Sequence, residues 1–358
     1  MIHVAAYGDG NPYHLSYIFA GLYDLAKRQQ IKLDVTYPWS YSKNRPSPGD
    51  ITLWLIVEDS LTNRSRKVVF DLHDKSDKYI IPRLEECDIY FKRSYYEPDV
   101  EKLSPNLRKK VVPFGLNYAC RSAYETTPIF RMLGYYFAHR FNIRKPAVSA
   151  KYLYYSLYLL KQVYSSPRAV NFECTPDEEL KPFIFFQTHV WGQYESDDNW
   201  IELNEGRVSV VRALKEAFGD QFIGGLIPTE VAVKYYPDCL TSLQTDRRSF
   251  IEMGKRSLIR IYTRGICHSI AWKLPEYLAA STCIVSEPLR NQMPAPLEPG
   301  KHYLEYHSPE ECVAACQRLL NDPKLVFEMR QNNHAYYQEE VKPSVHILKC
   351  LKHALDFA

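Results

Sequence analysis

His268-Ser269-Ile270-Ala271-Trp272-Lys273-Leu274-Pro275-Glu276-Tyr277-Leu278-Ala279-Ala280-Ser281, followed at once by Cys283-Ile284-Val285-Ser286-Glu287-Pro288-Leu289, is the stretch that decides how this chain is read. Leu274, Tyr277 and Leu278 recur at helical spacing, and Ser281 stands where a chain commonly leaves a helix. Cys283-Ile284-Val285 is a short apolar run suited to a parallel strand covered on both faces. The spacing predicts a short helix feeding a buried strand, with one carboxylate, Glu276, in the middle of the helix.

Short apolar runs alternate with helical or loop segments along the whole chain, which implies α/β units with mostly parallel sheets. Strands are expected at 2–7, 32–37, 51–57, 67–72, 88–91 and 111–114, with a helix at 15–27, and these make a first domain over 1–175. Residues of about 117–170 within it read as a helical, aromatic and basic insertion. Pro167, Pro176 and Pro182 punctuate a linker near 170–181. A second domain over 181–335 opens with a strand at 183–188. It continues through a helix at 207–218, a strand at 221–224, a helix at 248–255, a strand at 258–262 and the Glu276 unit, and ends on helices at 309–320 and 324–340. The tail, 336–358, is broken by Pro343 and resumes as a helix.

At 358 residues the chain is long enough for two domains. With 46% hydrophobic and 24% charged residues the composition is that of an ordinary globular protein, and a net charge of +3 is too small to argue for nucleic acid, which is not expected as a partner. No apolar run reaches the ~18 residues of a membrane span, and the first residues read as a strand rather than a signal peptide, so the cytoplasm is the expected compartment. The nine cysteines form no CxxC pair, and Cys312 and Cys316 have no nearby partners for a zinc site. They read as reduced thiols.

A helix-to-strand unit of this kind near the C-terminal end of an α/β chain resembles the donor-nucleotide site of GT-B glycosyltransferases, where a glutamate in that helix contacts the ribose hydroxyls. The resemblance implies a GT-B fold: two Rossmann-like domains with parallel sheets facing across a cleft. It matches Glu276 to the ribose glutamate. Many retaining members carry a second glutamate eight positions earlier, on the donor sugar; His268 holds that position here, a departure that alters the chemistry at the sugar end. The implied activity is transfer of a sugar from a UDP- or GDP-linked donor to a glycan or lipid-linked glycan, as in bacterial polysaccharide and cell-envelope enzymes, with no cofactor and no metal. In the family the C-terminal helix commonly crosses back to the first domain; a simple terminal helix on the second domain reads equally well. The resemblance covers about 180–335 closely and the first domain only in architecture.

Further donor-site candidates follow. Arg207, expected at a helix start in Asn204-Glu205-Gly206-Arg207, would add a guanidinium fork to free amides for a diphosphate. The loop Tyr262-Thr263-Arg264-Gly265-Ile266-Cys267-His268-Ser269 leaves a strand at its carboxyl end, where open α/β sheets take ligands. There Gly265 permits close backbone approach, Ser269 caps the helix or meets a phosphate oxygen, and Arg264 and Lys273 face either phosphate or water. In the first domain, Asp9 and His14 flank the loop after the first strand, and His73 sits in Phe70-Asp71-Leu72-His73-Asp74-Lys75; each can take a proton from an acceptor hydroxyl. The loop lacks the dinucleotide fingerprint. Asp197-Asp198 reads as a solvated loop rather than a metal motif.

Arg131, His139, Arg140, Arg144, Lys145, Lys151 and Lys161 lie among many tyrosines. Peripheral contact with an anionic membrane on its inner face is one reading, and a helical pair with tyrosines in its core is the other. Stereochemistry stays open, and so do two other classes: a nucleotide-sugar epimerase of the same fold and a non-catalytic sugar-nucleotide-binding protein.

Overall fold

The computed structural model describes residues 1–7, 10–36, 51–125, 129–130, 133, 136, 143–192 and 200–357. Asp9, Arg131, His139, Arg140 and Asp197-Asp198 fall outside them. The chain divides into two compact units. Unit 1 is Met1–Asn171 with Gln292–Pro294 and Glu340–Ala358, and unit 2 is Phe172–Asn291 with Ala295–Glu339.

Unit 1 is built on a six-stranded sheet of order β2-β1-β3-β4-β5-β6, with strands β1 (Ile2–Tyr7), β2 (Ile31–Thr36), β3 (Thr52–Asp59), β4 (Arg64–Asp71), β5 (Ile89–Lys92) and β6 (Val111–Pro113). The sheet is parallel except for β3, which runs antiparallel to both β1 and β4. The reason is local. Only Ser60–Asn63 separate β3 from β4, too few for the crossover of a dozen or more residues that a parallel pair needs. Asp59 closes the turn by accepting from the Leu61 amide and the Thr62 hydroxyl, and Asn63 takes the left-handed φ of +53°.

Helix α1 (Ser16–Lys27) buries Tyr17, Ile18, Phe19, Leu22 and Leu25. A long helix, α2 (Pro146–Ser165), buries only Ser149, Ser156, Leu159 and Val163. The terminal helix, here α8 (Pro343–Asp356), lies against α1 at Gly21, where an added Cβ would stand 2.5 Å from the Pro343 carbonyl oxygen and 2.6 Å from Ile347. His346 anchors the same contact. Its Nε2 lies 2.7 Å from the Phe114 carbonyl, its Nδ1 lies 2.9 Å from the Tyr17 hydroxyl, and its ring stacks on Phe114.

Unit 2 carries a five-stranded, wholly parallel sheet of order β11-β10-β9-β7-β8: β7 (Lys181–Thr188), β8 (Phe222–Leu226), β9 (Ser257–Tyr262), β10 (Cys283–Ser286) and β11 (Leu304–Glu305). Its helices include α3 (Trp200–Phe218), α4 (Arg247–Arg256), α5 (Lys273–Ala279), α6 (Pro309–Asn321) and α7 (Pro323–Tyr336). Ile184, Phe186, Ile259, Ile261, Cys283 and Val285 from the strands meet Val211 and Leu214 of α3 and Cys312, Cys316 and Leu319 of α6 in one core. Each such side chain contributes about 1.5–3 kcal/mol of transfer free energy. Cys312 and Cys316 are thus core residues. At Gly224, with φ +146°, a Cβ would come within 2.0 Å of the Phe186 carbonyl, so only glycine lets β8 lie this close to β7.

Candidate active site

The strand order of unit 2 contains a reversal. From β7 the chain first builds outward to β8, then returns to place β9 on the other side of β7. Ligands of open α/β sheets bind outside the carboxyl ends of the strands at such a point. Here the two lips are Gln187-Thr188-His189 at the carboxyl end of β7 and Thr263-Arg264 after β9.

Arg207 ties the lips together from below. Its Nη1 donates to the His189 carbonyl at 2.6 Å, its Nε to the Thr263 hydroxyl at 3.1 Å and its Nη2 to the Arg264 carbonyl at 2.7 Å. Burial lowers its pKa to about 10, with Glu287 opposing the shift. This corrects the expected placement at a helix start. The helix begins at Trp200, so Arg207 lies two turns inside α3. Asn204, which reads as a boundary residue, instead accepts from the Trp191 amide and donates to the Trp191 carbonyl. Arg207 is a clamp on the protein's own backbone.

The loop after β9 is closed on itself. The Gly265 amide donates to the Ser269 carbonyl at 2.8 Å, and the Ser269 amide donates to Ile266 at 3.1 Å. Within it Cys267 and His268 both take left-handed φ values, +57° and +56°. Two successive non-glycine residues in that region cost on the order of 1–3 kcal/mol each, a strain that clusters at functional sites. The close approach at Gly265 is to Ser269, whose Oγ would lie 2.6 Å from an added Cβ. Ser269 does not cap the helix. α5 starts only at Lys273, with Trp272 at its N-cap and no side-chain cap bond.

Behind the loop lies a cluster of cations, buried or half-buried, around one carboxylate. Glu276, on α5, is 2% exposed, and both its oxygens are held by Arg247: Nη1 reaches Oε2 at 3.0 Å and Nη2 contacts Oε1. Arg247 also lies over the rings of Phe172 and Phe250. Arg260, fully buried, sits 4.5 Å from the Tyr277 ring centroid. Lys273 is half-buried, and its Nζ donates to the Gln187 carbonyl at 2.5 Å. Burial lowers its pKa to about 7, Arg207 adds to the shift and Glu276 opposes it. Burial likewise brings His189 down to about 4, helped by Lys273 and Arg207.

A pocket of about 520 Å³ opens at the carboxyl ends of β9, β10 and β11, beside the first half of α3. His268, Ser269 and Arg264 line it together with Glu287, Tyr306 and Glu202. Glu276, Lys273, Arg207 and Gly265 are not among its lining residues. Arg264 donates to Glu202 at 2.8 Å, and its backbone amide donates to Glu287 at 2.9 Å.

In unit 1, His14 and His73 form a separate corner with Asp74 and Arg93. Asp71, fully buried, accepts from the His73 ring at 2.6 Å, the Tyr90 hydroxyl at 2.7 Å and the Lys92 ammonium at 2.9 Å. Burial alone would raise the Asp71 carboxyl, but Lys92 and His73 hold it well below the usual carboxylate range. With Asp71 ionised, Nδ1 of His73 is the protonated nitrogen. His14 is brought to about 4 by burial; Asp74 opposes, and Arg93 and His73 reinforce. Arg93 donates to Asp74 at 2.5 Å.

Arg247, Gln187, His189 and Glu287 were not legible as site residues. Three of them directly end strands 183–188 and 283–286, a positional signal that strand ends in an α/β unit supply. Arg247 gave no signal, since its partner lies 29 residues further on. Among the described residues no group of three or more His, Cys, Asp or Glu is arranged to hold a metal, and no helix is long and apolar enough to cross a membrane.

Residues 178–346, which include the switch point, the strained loop and α5, match the family described as glycosyl transferase-like. The matched segment is glycosyl transferase-like, and each of the two units is built on an α/β sheet with mostly parallel strands. Solved structures with some likeness include the C-terminal domain of a glycosyl transferase group 1 family protein from Francisella tularensis, at 12% identity and TM-score 0.32, covering 44% of this chain and 85% of that one. Another is sucrose-phosphate synthase from Thermosynechococcus elongatus, at 12% identity and TM-score 0.39, covering 94% and 90%. A third is UDP-GlcNAc 2-epimerase from Neisseria meningitidis, at 13% and 0.37, covering 93% and 72%. No curated protein matches the chain.

Proposed function

We propose that this protein transfers a sugar from a UDP- or GDP-linked donor to a glycan or lipid-linked glycan. The observation that carries the reading is the strained Cys267-His268 turn, which opens on the pocket in unit 2 within the segment that matches the glycosyltransferase family. Glu276 takes the ribose hydroxyls once Arg247, which holds both its oxygens behind the pocket lining, releases one of them. His268 and Ser269 meet the diphosphate or the sugar, and Arg264 supplies positive charge at the pocket wall. Lys273 and Arg247 supply positive charge behind the loop. In this reading the chain's own cations stand where other transferases use a divalent ion, so no metal is needed.

Chemically, an acceptor hydroxyl oxygen bonds to the anomeric carbon, the bond from that carbon to the β-phosphate oxygen breaks, and the nucleoside diphosphate departs. The hydroxyl proton goes to a base, drawn from His73, His14 and Asp9 where the anomeric configuration inverts. His73, fixed by Asp71, presents Nε2 as the acceptor nitrogen.

The test is incubation of the full chain with UDP- and GDP-sugars in the presence of a chelator, followed by chromatography of the nucleotide and the sugar. Release of a nucleoside diphosphate with chelator present supports the reading. An intact nucleotide carrying an epimerised sugar would replace it with the epimerase. Nucleotide binding with no product from any donor and acceptor would make the chain a binding protein.

A further inference from the structure

Helix α2 buries little of its surface for its length. Twenty residues long, it spans about 30 Å. Its buried residues, Ser149, Ser156, Leu159 and Val163, form one narrow stripe, and two of the four are serines. The opposite arc carries large side chains in water: Tyr154 is 76% exposed, Leu157 50%, Tyr158 49% and Tyr164 44%. Leu153 and Tyr155 flank them, and Ile143, just before the helix, is 81% exposed.

The charges on this stretch have one sign. From Ile143 to Phe172 the sequence has Arg144, Lys145, Lys151, Lys161 and Arg168 and no aspartate or glutamate. Lys151 and Lys161 lie on the exposed arc, between the tyrosines.

From this arrangement we infer that α2 lies flat on an anionic lipid surface, with its Tyr/Leu arc at the level of the headgroups. Tyrosine places its ring in the acyl boundary and its hydroxyl among the headgroups, and lysine stems bury their methylenes while the ammonium stays wet. A surface for another protein would be poor in lysine at its centre, whereas here lysines punctuate the apolar arc. The unbroken positive sign complements anionic lipid and nothing neutral. The surface stands independently of the donor site, so either assignment can fail alone.

The experiment is co-flotation of the full chain with vesicles of phosphatidylcholine, with and without about 30% phosphatidylglycerol, at ionic strengths of about 0.1 M and 0.5 M. Two variants accompany the wild type: Tyr154→Ser/Leu157→Ser/Tyr158→Ser and Lys151→Glu/Lys161→Glu. All five positions are exposed, and thermal midpoints confirm that both variants fold. The expected result is binding to the anionic vesicles alone, weakened by salt, reduced about tenfold or more by the charge reversals and lost in the triple variant. Equal binding of wild type and variants, or no binding to anionic vesicles at low salt, would overturn the inference. If the wild type self-associates in sedimentation equilibrium and the triple variant does not, without vesicle binding, the arc is a protein interface instead.

Discussion

Arg247 grips both carboxylate oxygens of Glu276 while its guanidinium rests against Phe172 and Phe250. The carboxylate is nearly inaccessible, whereas Arg247 remains 35% exposed, so the pair is buried on one side and wet on the other. Arg260 and Lys273 stand close behind and add positive charge around the Glu276 carboxylate.

Glu276→Gln keeps the shape and removes the charge. Breaking a fully buried pair costs about 3–5 kcal/mol, and the exposure of Arg247 reduces this to about 1–3 kcal/mol. The midpoint of thermal unfolding should fall by several degrees, and affinity for UDP or GDP by calorimetry should fall about tenfold or more. A midpoint loss with unchanged nucleotide affinity would remove Glu276 from the donor site while leaving its structural role.

Arg207→Lys should destabilise the chain by about 3 kcal/mol or more, because a single ammonium cannot reach three acceptors on two separate lips. The loss should appear in urea unfolding without any nucleotide present. A variant as stable as the wild type but deficient in nucleotide binding would show Arg207 to be a ligand rather than a clamp.

Lys273 sets a pH dependence. Its pKa falls from the ordinary 10.5 to about 7 in the folded chain, so between those values the unfolded chain holds the extra proton and stability rises with pH. An anionic diphosphate nearby favours the ammonium and should draw a proton in on binding. Calorimetry in buffers of different ionisation enthalpy should show net uptake near pH 8, with affinity falling as pH rises above about 7. Lys273→Met should abolish the uptake. Binding with no proton exchange in the wild type would separate Lys273 from the ligand.

The terminal helix should be acid-labile. Burial lowers His346 from 6.5 to about 4, so as pH falls through that window the unfolded state takes up the proton first and stability is lost. His346→Phe keeps the ring but loses the bonds to Phe114 and Tyr17. It should flatten the part of the acid transition due to His346 while lowering stability at pH 7. Gly21→Ala tests the same contact without titration, since its methyl group would meet the Pro343 carbonyl, at a cost of about 1–3 kcal/mol. Hydrogen exchange on Pro343–Asp356 should accelerate in both variants.

Much of the fold was legible because apolar runs such as Phe183-Ile184-Phe185-Phe186 and Cys283-Ile284-Val285 have no stable place other than a strand covered by helices. The antiparallel β3 was less legible. The runs expected at 51–57 and 67–72 seemed well separated, and only the hairpin hydrogen bonds show that β3 and β4 extend to within four residues of each other.

At the candidate site, His268, Ser269 and Arg264 could be named in advance because their loop leaves a strand at its carboxyl end. What they would be bonded to could not. The start of α3 was hidden because Asn204 and Gly206 look like boundary residues, yet the Asn204 side chain is satisfied by Trp191 and the helix runs through them.

By itself the sequence determined the alternation of elements, the place of the key loop and the presence of a lone carboxylate in α5, because hydrophobic period and residue type act over a few neighbours. Tertiary structure alone decided that Arg247 meets Glu276, that Arg207 bonds the backbone of both lips and that Lys273 reaches the Gln187 carbonyl. These partners come from different strands and helices, and only the strand order brings their charges within hydrogen-bonding distance.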